Sequence, residues 1–167
     1  GRTLASDEMK SSHIANILKK LHQSDRLKRL LKKVGGDTIS AVDLIAEYEV
    51  NLADDLENHP VLVSTYHYLL RELPLGYTES DIRVCHGDIL YDIGQLLARY
   101  VAKEDWAKWA TKNEMNFNEN EIKRVKWYAF INMLLDIKYA HYKARYNKMN
   151  ELILTLNQWL EDEGIIQ

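Results

Sequence analysis

With 167 residues, 46% of them hydrophobic, the chain is long enough to bury one full core and too short to favour two domains. A net charge of −3 at pH 7 and a pI near 6.1 give no bulk attraction to nucleic acid. The single cysteine, Cys85, excludes an internal disulfide framework and a thiolate metal cluster, and no apolar run approaches the ~18 residues that suggest a membrane span. A cytoplasmic protein with neither nucleic acid nor membrane as partner is the expectation. Gly1-Arg2-Thr3-Leu4 lacks both an apolar signal core and an initiator Met, so the opening reads as the interior of a longer protein.

Only two prolines and seven glycines interrupt the sequence, and a mainly α fold is expected. Ser6 ahead of Asp7 and Glu8 predicts a capped helix with Met9, Ile14, Ile17, Leu18 and Leu21 as its stripe, ending at Gln23-Ser24-Asp25. A short basic helix from Arg26 to Val34 stops at Gly35-Gly36. From Ala41 to about Leu56 the residues Val42, Ile45 and Leu52 keep a rough helical period, while Asp43, Glu47, Glu49, Asp54 and Asp55 make this the most acidic part of the chain. The run from Glu47 to Glu57 is read as a solvated face, with attraction of a cationic acceptor such as an amine as the alternative. Pro60 opens the next predicted helix, with Leu62, Tyr66, Leu69, Leu70 and Leu73 on one face before Pro74 and Gly76 break it.

Between Tyr77 and Asp88 the pattern changes. Ile82, Val84 and Cys85 read as a short strand after a Thr78-Glu79-Ser80-Asp81 turn. Helices are then predicted over Ile89 to Val101, Glu104 to Lys112, about Glu121 to Tyr146, and Lys148 to Glu161. Asn118 three residues before Glu121 resembles a capping box, with Asn120 as the other possible cap. The last helix is expected to bury Leu152, Leu156, Trp159 and Leu160 and to stop near Gly164. His13, His59, His67 and His141 have no spacing that converges on a metal. Trp106, Trp109, Trp127, Tyr128, Tyr139 and Tyr142 are either core or the wall of an acceptor pocket; Trp127 and Tyr128 are taken as the candidate substrate-binding pair.

One run carries chemistry. Val84-Cys85-His86-Gly87-Asp88 brings a strand end to His-Gly-Asp, which places a carboxylate where it can accept a hydroxyl proton in phosphoryl transfer. The plain alternative is that Gly87 turns the chain and Asp88 caps the helix beginning at Ile89.

Two flanking elements bear on that choice: Leu18-Lys19-Lys20-Leu21-His22, which ends the first helix, and Asp92-Ile93-Gly94-Gln95-Leu96-Leu97, which opens the helix after the triplet. With Cys85-His86-Gly87-Asp88 they resemble, in order, the helical C-terminal lobe of the aminoglycoside phosphotransferase and choline kinase superfamily, whose fold is similar to that of protein kinases. Asp105-Trp106, Trp109 and Trp127-Tyr128 are similar to a narrower subgroup, the YtmP/CcrZ-type phosphotransferase-like proteins of low-GC Gram-positive bacteria. The resemblance spans nearly all of residues 1–167, taken as one helical lobe, and implies an ATP-dependent, magnesium-requiring kinase for a small hydroxyl substrate such as a choline-like amino alcohol, a sugar or a nucleoside. It assigns Asp88 as the catalytic base, His86 as the residue holding that loop, Asp92 as the structural aspartate tying down the next helix, and His22 as a core histidine of the first helix.

The departures from the family pattern are large. Its metal-binding Asn and Asp have no counterpart here, because only Ile89-Leu90-Tyr91 separates Asp88 from Asp92. The expectation is therefore that the parent protein has a nucleotide-binding lobe before Gly1 and a metal-binding hairpin between Asp88 and Ile89, both missing from these residues, so that the peptide link written there is not a real bond. A truncated remnant, inactive by itself, is the alternative. Relatives of this subgroup are linked to cell division and replication control, so a non-catalytic module regulating such a protein partner is the second functional expectation.

Overall fold

The computed structural model describes residues 15–16, 40–74 and 89–166. Apart from Ala15 and Asn16, which are helical as predicted, the predictions for the first two helices, for the strand at 82–85, for His22, His86 and Asp88, and for the Asp88–Ile89 link fall outside the described residues. Within them the chain is mainly helical and contains no strand. The backbone divides into two compact units, Gly1–Ser40 with Leu75–Ala129 and Ala41–Pro74 with Phe130–Gln167, where sequence length favours one domain.

In the unit that starts at Ala41, the helix predicted over Ala41 to Leu56 is broken. Helix α1 (Ala41–Glu49) stops at Glu49, Asn51 turns with φ 52°, and α2 (Asp54–Glu57) restarts as a single turn. The inward residues are Ala41, Leu44, Ile45 and Tyr48, while Val42 is 58% exposed, so the true stripe lies one step round from the predicted one. Helix α3 (Pro60–Arg71) opens as predicted with Pro60 at N1, and His59 acts as its cap, Nδ1 accepting from Val61 N–H. Leu62, Thr65 and Leu69 face inward and Leu70 is 44% exposed, correcting the predicted face; buried Thr65 satisfies its hydroxyl on Val61 O at 2.8 Å.

In the other unit, α4 (Ile89–Tyr100) buries Leu90, Ile93, Leu96 and Leu97, an i, i+3, i+4 stripe that gives it one strongly apolar side. A 3₁₀ turn over Lys103–Asp105 leads into α5 (Trp106–Lys112), which buries Trp106 and Trp109; the Trp106 indole donates to the Val101 carbonyl at 3.0 Å. Helix α6 (Glu119–Tyr142) starts at the predicted capping box. Glu121 N–H donates to Asn118 Oδ1 at 2.8 Å, and Asn118 N–H donates to Glu121 Oε1 at 3.3 Å, so Asn118 rather than Asn120 is the cap.

Helix α6 contributes residues to both units and is buried on every side from Trp127 to Leu134. Such a helix needs neighbours all round, and its lack of a polar face follows from that. It ends four residues earlier than the sequence suggests. Ala144 takes a left-handed φ of 55°, Ala144 N–H donates to His141 O at 3.0 Å, and Arg145 N–H donates to Ala140 O at 2.8 Å, the paired bonds of a Schellman cap. Alanine gives no sequence signal for that cap, whereas Gly164, which closes α7 (Tyr146–Asp162) with φ 69° and the equivalent pair of bonds, does.

Two contacts tie the later helices to the earlier ones within the unit that starts at Ala41. Helix α1 carries Glu47 and Glu49 at its negative end and has no basic residue in its last turn; Lys138 of α6 offsets this by donating to the Glu47 and Val50 carbonyls. Helix α3 packs against α7, and Tyr68, Phe130 and Trp159 stack at 5.2 and 5.3 Å between ring centres to join α3, α6 and α7. Ile153 replaces half-buried Leu152 in the buried set of α7.

Candidate functional site

Of the residues assigned by resemblance, Asp88, His86 and His22 lie outside the described residues. Asp92 sits half-buried in the first turn of α4, where a carboxylate complements the helix dipole. Two residues on, Gly94 lets α4 approach α6 closely. A Cβ there would stand 2.7 Å from Tyr128 Cβ, 2.8 Å from the Val125 carbonyl oxygen and 3.0 Å from Ala129 N, closer than carbon atoms tolerate.

Tyr128 lies at this seam, with the Trp127 ring edge-on beside it at 5.5 Å. Trp127 and Tyr128 are 1% and 0% exposed, and Tyr91 meets the Tyr128 ring edge-on at 5.6 Å. Tyr128 closes the α4–α6 contact, and neither ring presents surface to an open acceptor pocket, the usual fate of large aromatics at helical spacing. Trp106 and Trp109 are also buried, whereas Tyr139 and Tyr142 stand in solvent.

The described residues do form a hollow, but in the other unit, on the acidic stretch that the sequence marks as a solvated face. Between α1, α2 and α3 lies a cavity of about 430 Å³. Leu52, Val63 and Tyr66 line it, with Leu62 and Tyr48 buried behind them at 0% and 2% exposed; the Tyr48 and Tyr66 ring centres are 5.8 Å apart and tilted by 37°. Glu49, Glu57 and His67 complete the rim. The Tyr66 hydroxyl donates to Glu49 Oε1, a bond that fixes ring and carboxylate together. That bond, with help from burial and the Glu49 charge, pushes the Tyr66 phenol up to about 12; burial, then the neighbouring Tyr66 charge, does the same for Tyr48. Both rings are therefore neutral at physiological pH.

No Lys or Arg occurs between Val34 and Arg71, while Asp43, Glu47, Glu49, Asp54, Asp55 and Glu57 crowd the same stretch. Lys138, brought in by the fold, is occupied with backbone carbonyls, and His141 Nε2 lies 3.0 Å from Asp55 Oδ2. Two sequence signals point here, the Tyr48-Glu49 pair and its spacing from Tyr66, but only the turn at Asn51 brings them around one hollow. Among the described residues no grouping of three or more His, Cys, Asp and Glu is arranged to hold a metal ion, and no helix is long and apolar enough to cross a membrane. No model of a known protein family matches the chain.

Proposed function

We propose that the chain is the helical lobe of an ATP-dependent phosphotransferase acting on a hydroxyl of a small metabolite. The observation that best supports this reading is the start of α4. It opens at Ile89, next in sequence to Val84-Cys85-His86-Gly87-Asp88, and carries Asp92 in its first turn and Gly94 at a close helix contact. In this reading Asp88 orients the acceptor hydroxyl and takes its proton as the oxygen attacks, His86 holds the loop, and Asp92 and His22 support it. A choline-like amino alcohol, a sugar and a nucleoside all suit the role of acceptor. ATP with magnesium is the donor implied by the resemblance; the described residues alone do not fit a metal, and no step is assigned to it.

The test is ATP turnover by the natural protein against a panel of hydroxyl compounds. At least one acceptor is expected to yield ADP, and Asp88→Asn is expected to slow it by roughly 100-fold or more. Wild-type rates in the variant would remove Asp88 from the role.

A non-catalytic module that binds a division or replication protein is the second reading, and one surface favours it. Tyr139, Tyr142 and Tyr146 stand 59%, 84% and 52% exposed around the α6–α7 corner, interleaved with exposed Lys143, Arg145 and Lys148. Exposed tyrosines beside an arginine are the residue types enriched at protein interfaces, with the two lysines suited to a polar rim. An intact mass of 19.5 kDa for the natural protein, together with no turnover, would favour this reading; a larger mass with turnover would favour the kinase.

A further inference from the structure

We propose that the unit starting at Ala41 pairs with a second copy of itself, the aromatic and basic corner between α6 and α7 of each copy meeting the acidic α1–α2 stretch of the other. Tyr139, Tyr142 and Tyr146 stand exposed at that corner, with Arg145 and Lys148 beside them. Local chemistry does not account for these two cations. They lie at the start of α7, the positive end of a helix, whose first turn holds no acidic residue, so they stand where a helix alone favours the opposite sign. Lys143 is engaged within the chain, its Nζ 4.7 Å from the centre of the Tyr139 ring, but Arg145 and Lys148 have no ion-pair partner among the described residues, and neither has Asp54 on α2. The two patches lie side by side: His141 Nε2 is 3.0 Å from Asp55 Oδ2, and the Tyr146 ring meets the His141 ring edge-on at 5.8 Å, so contacts run from the corner straight into α2. Neighbouring patches of opposite sign suit a two-fold axis, because in such a contact each patch meets the other patch of the partner copy and both pairs form at once. Tyr146, at the boundary, and Tyr142 supply the apolar contact, and the charges form a polar rim. A second copy fits this corner better than a foreign protein because the chain itself carries the complement: six acidic residues and no Lys or Arg from Asp43 to Glu57.

This inference rests on neither reading of function, and its test involves no ATP. The natural protein is followed by sedimentation equilibrium from about 10 μM to about 1 mM at low ionic strength. A monomer–dimer equilibrium is expected, weakened at least about tenfold in ~1 M salt, where the Debye length falls to about 3 Å. Tyr142→Ser, at an exposed position, is expected to weaken the dimer about tenfold or more. Arg145→Glu with Lys148→Glu, and separately Asp54→Lys with Asp55→Lys, are each expected to be monomeric, and an equimolar mixture of the two is expected to dimerise again because reversed charges then face each other. A monomer at every concentration, growth beyond two copies, a dimer unmoved by either reversal, or a mixture that stays monomeric while both variants keep their helical circular dichroism would overturn the proposal. Should either variant fold poorly, the salt dependence and Tyr142→Ser decide.

Discussion

Tyrosines meet other elements in two parts of this molecule, and the outcomes are opposite. At the α4–α6 seam, Tyr91 closes edge-on over Tyr128, Trp127 lies beside it, and Gly94 removes the last Cβ that would hold the helices apart. Between α1 and α3, Tyr48 and Tyr66 also pair, but the chain turns at Asn51, no helix fills the gap, and a hollow with two carboxylates on its rim remains. Aromatic residues at helical spacing are thus ambiguous between core and site. What separates the cases is their company: small residues and aliphatics at the seam, acidic groups and a helix break at the hollow.

The largest effect that would sharpen this contrast is beside the seam, at the Trp127 ring that meets Tyr128 edge-on. Trp127→Ala removes a side chain 1% exposed and is expected to cost about 3–5 kcal/mol of stability in a denaturant melt. A stability within about 1 kcal/mol of the natural chain, roughly the size of an ordinary surface effect, would mean that the indole is not core. Next is Gly94→Ala. In an ordinary helix this change gains about 1 kcal/mol. Here the new Cβ meets the α6 backbone, so a net loss of about 1–3 kcal/mol is expected, and a gain would break the close-contact account.

The smallest effect concerns the hollow. Tyr48, Tyr66 and Tyr68 are each pushed up to about 12 from an ordinary 10, Tyr48 and Tyr68 chiefly by burial and Tyr66 chiefly by its bond to Glu49. A raised folded-state value favours the protonated form, so the stability it carries is complete below pH 10 and is lost as pH rises through about 12. Thermal melts should therefore decline over that window. Tyr66→Phe should make the decline shallower, and a decline identical to that of the natural chain would remove the Tyr66–Glu49 bond from the account.

Much of the helical framework is legible in the sequence alone. Pro60 at a first turn, the Asn118–Glu121 box and Gly164 beyond the last helix are local signals, and each acts locally as expected. The boundaries that shift share a cause. Asn51 and Ala144 both take left-handed conformations; asparagine adopts it more readily than most residues but alanine does not, and Ala144 is held by its bond to the His141 carbonyl. The acidic stretch reads as plain solvated surface because Asn51 is the one local sign of the break at residues 50–53, which converts one predicted helix into two helices beside a hollow. Lys138, the cation that completes the end of α1, comes from far along the sequence, and no local pattern pairs it with Glu47 and Val50.

By itself, then, the sequence determined the mainly helical class, the helix ends marked by Pro60, Asn118 and Gly164, and the order His86-Gly87-Asp88 followed by Asp92 and Gly94 on which the phosphotransferase reading depends. Periodicity and capping are set within a few residues, which is why they can be read one segment at a time. Only the tertiary structure decided which aromatics became core and which acids came to surround a hollow, because burial depends on what other segments fill the space beside a helix.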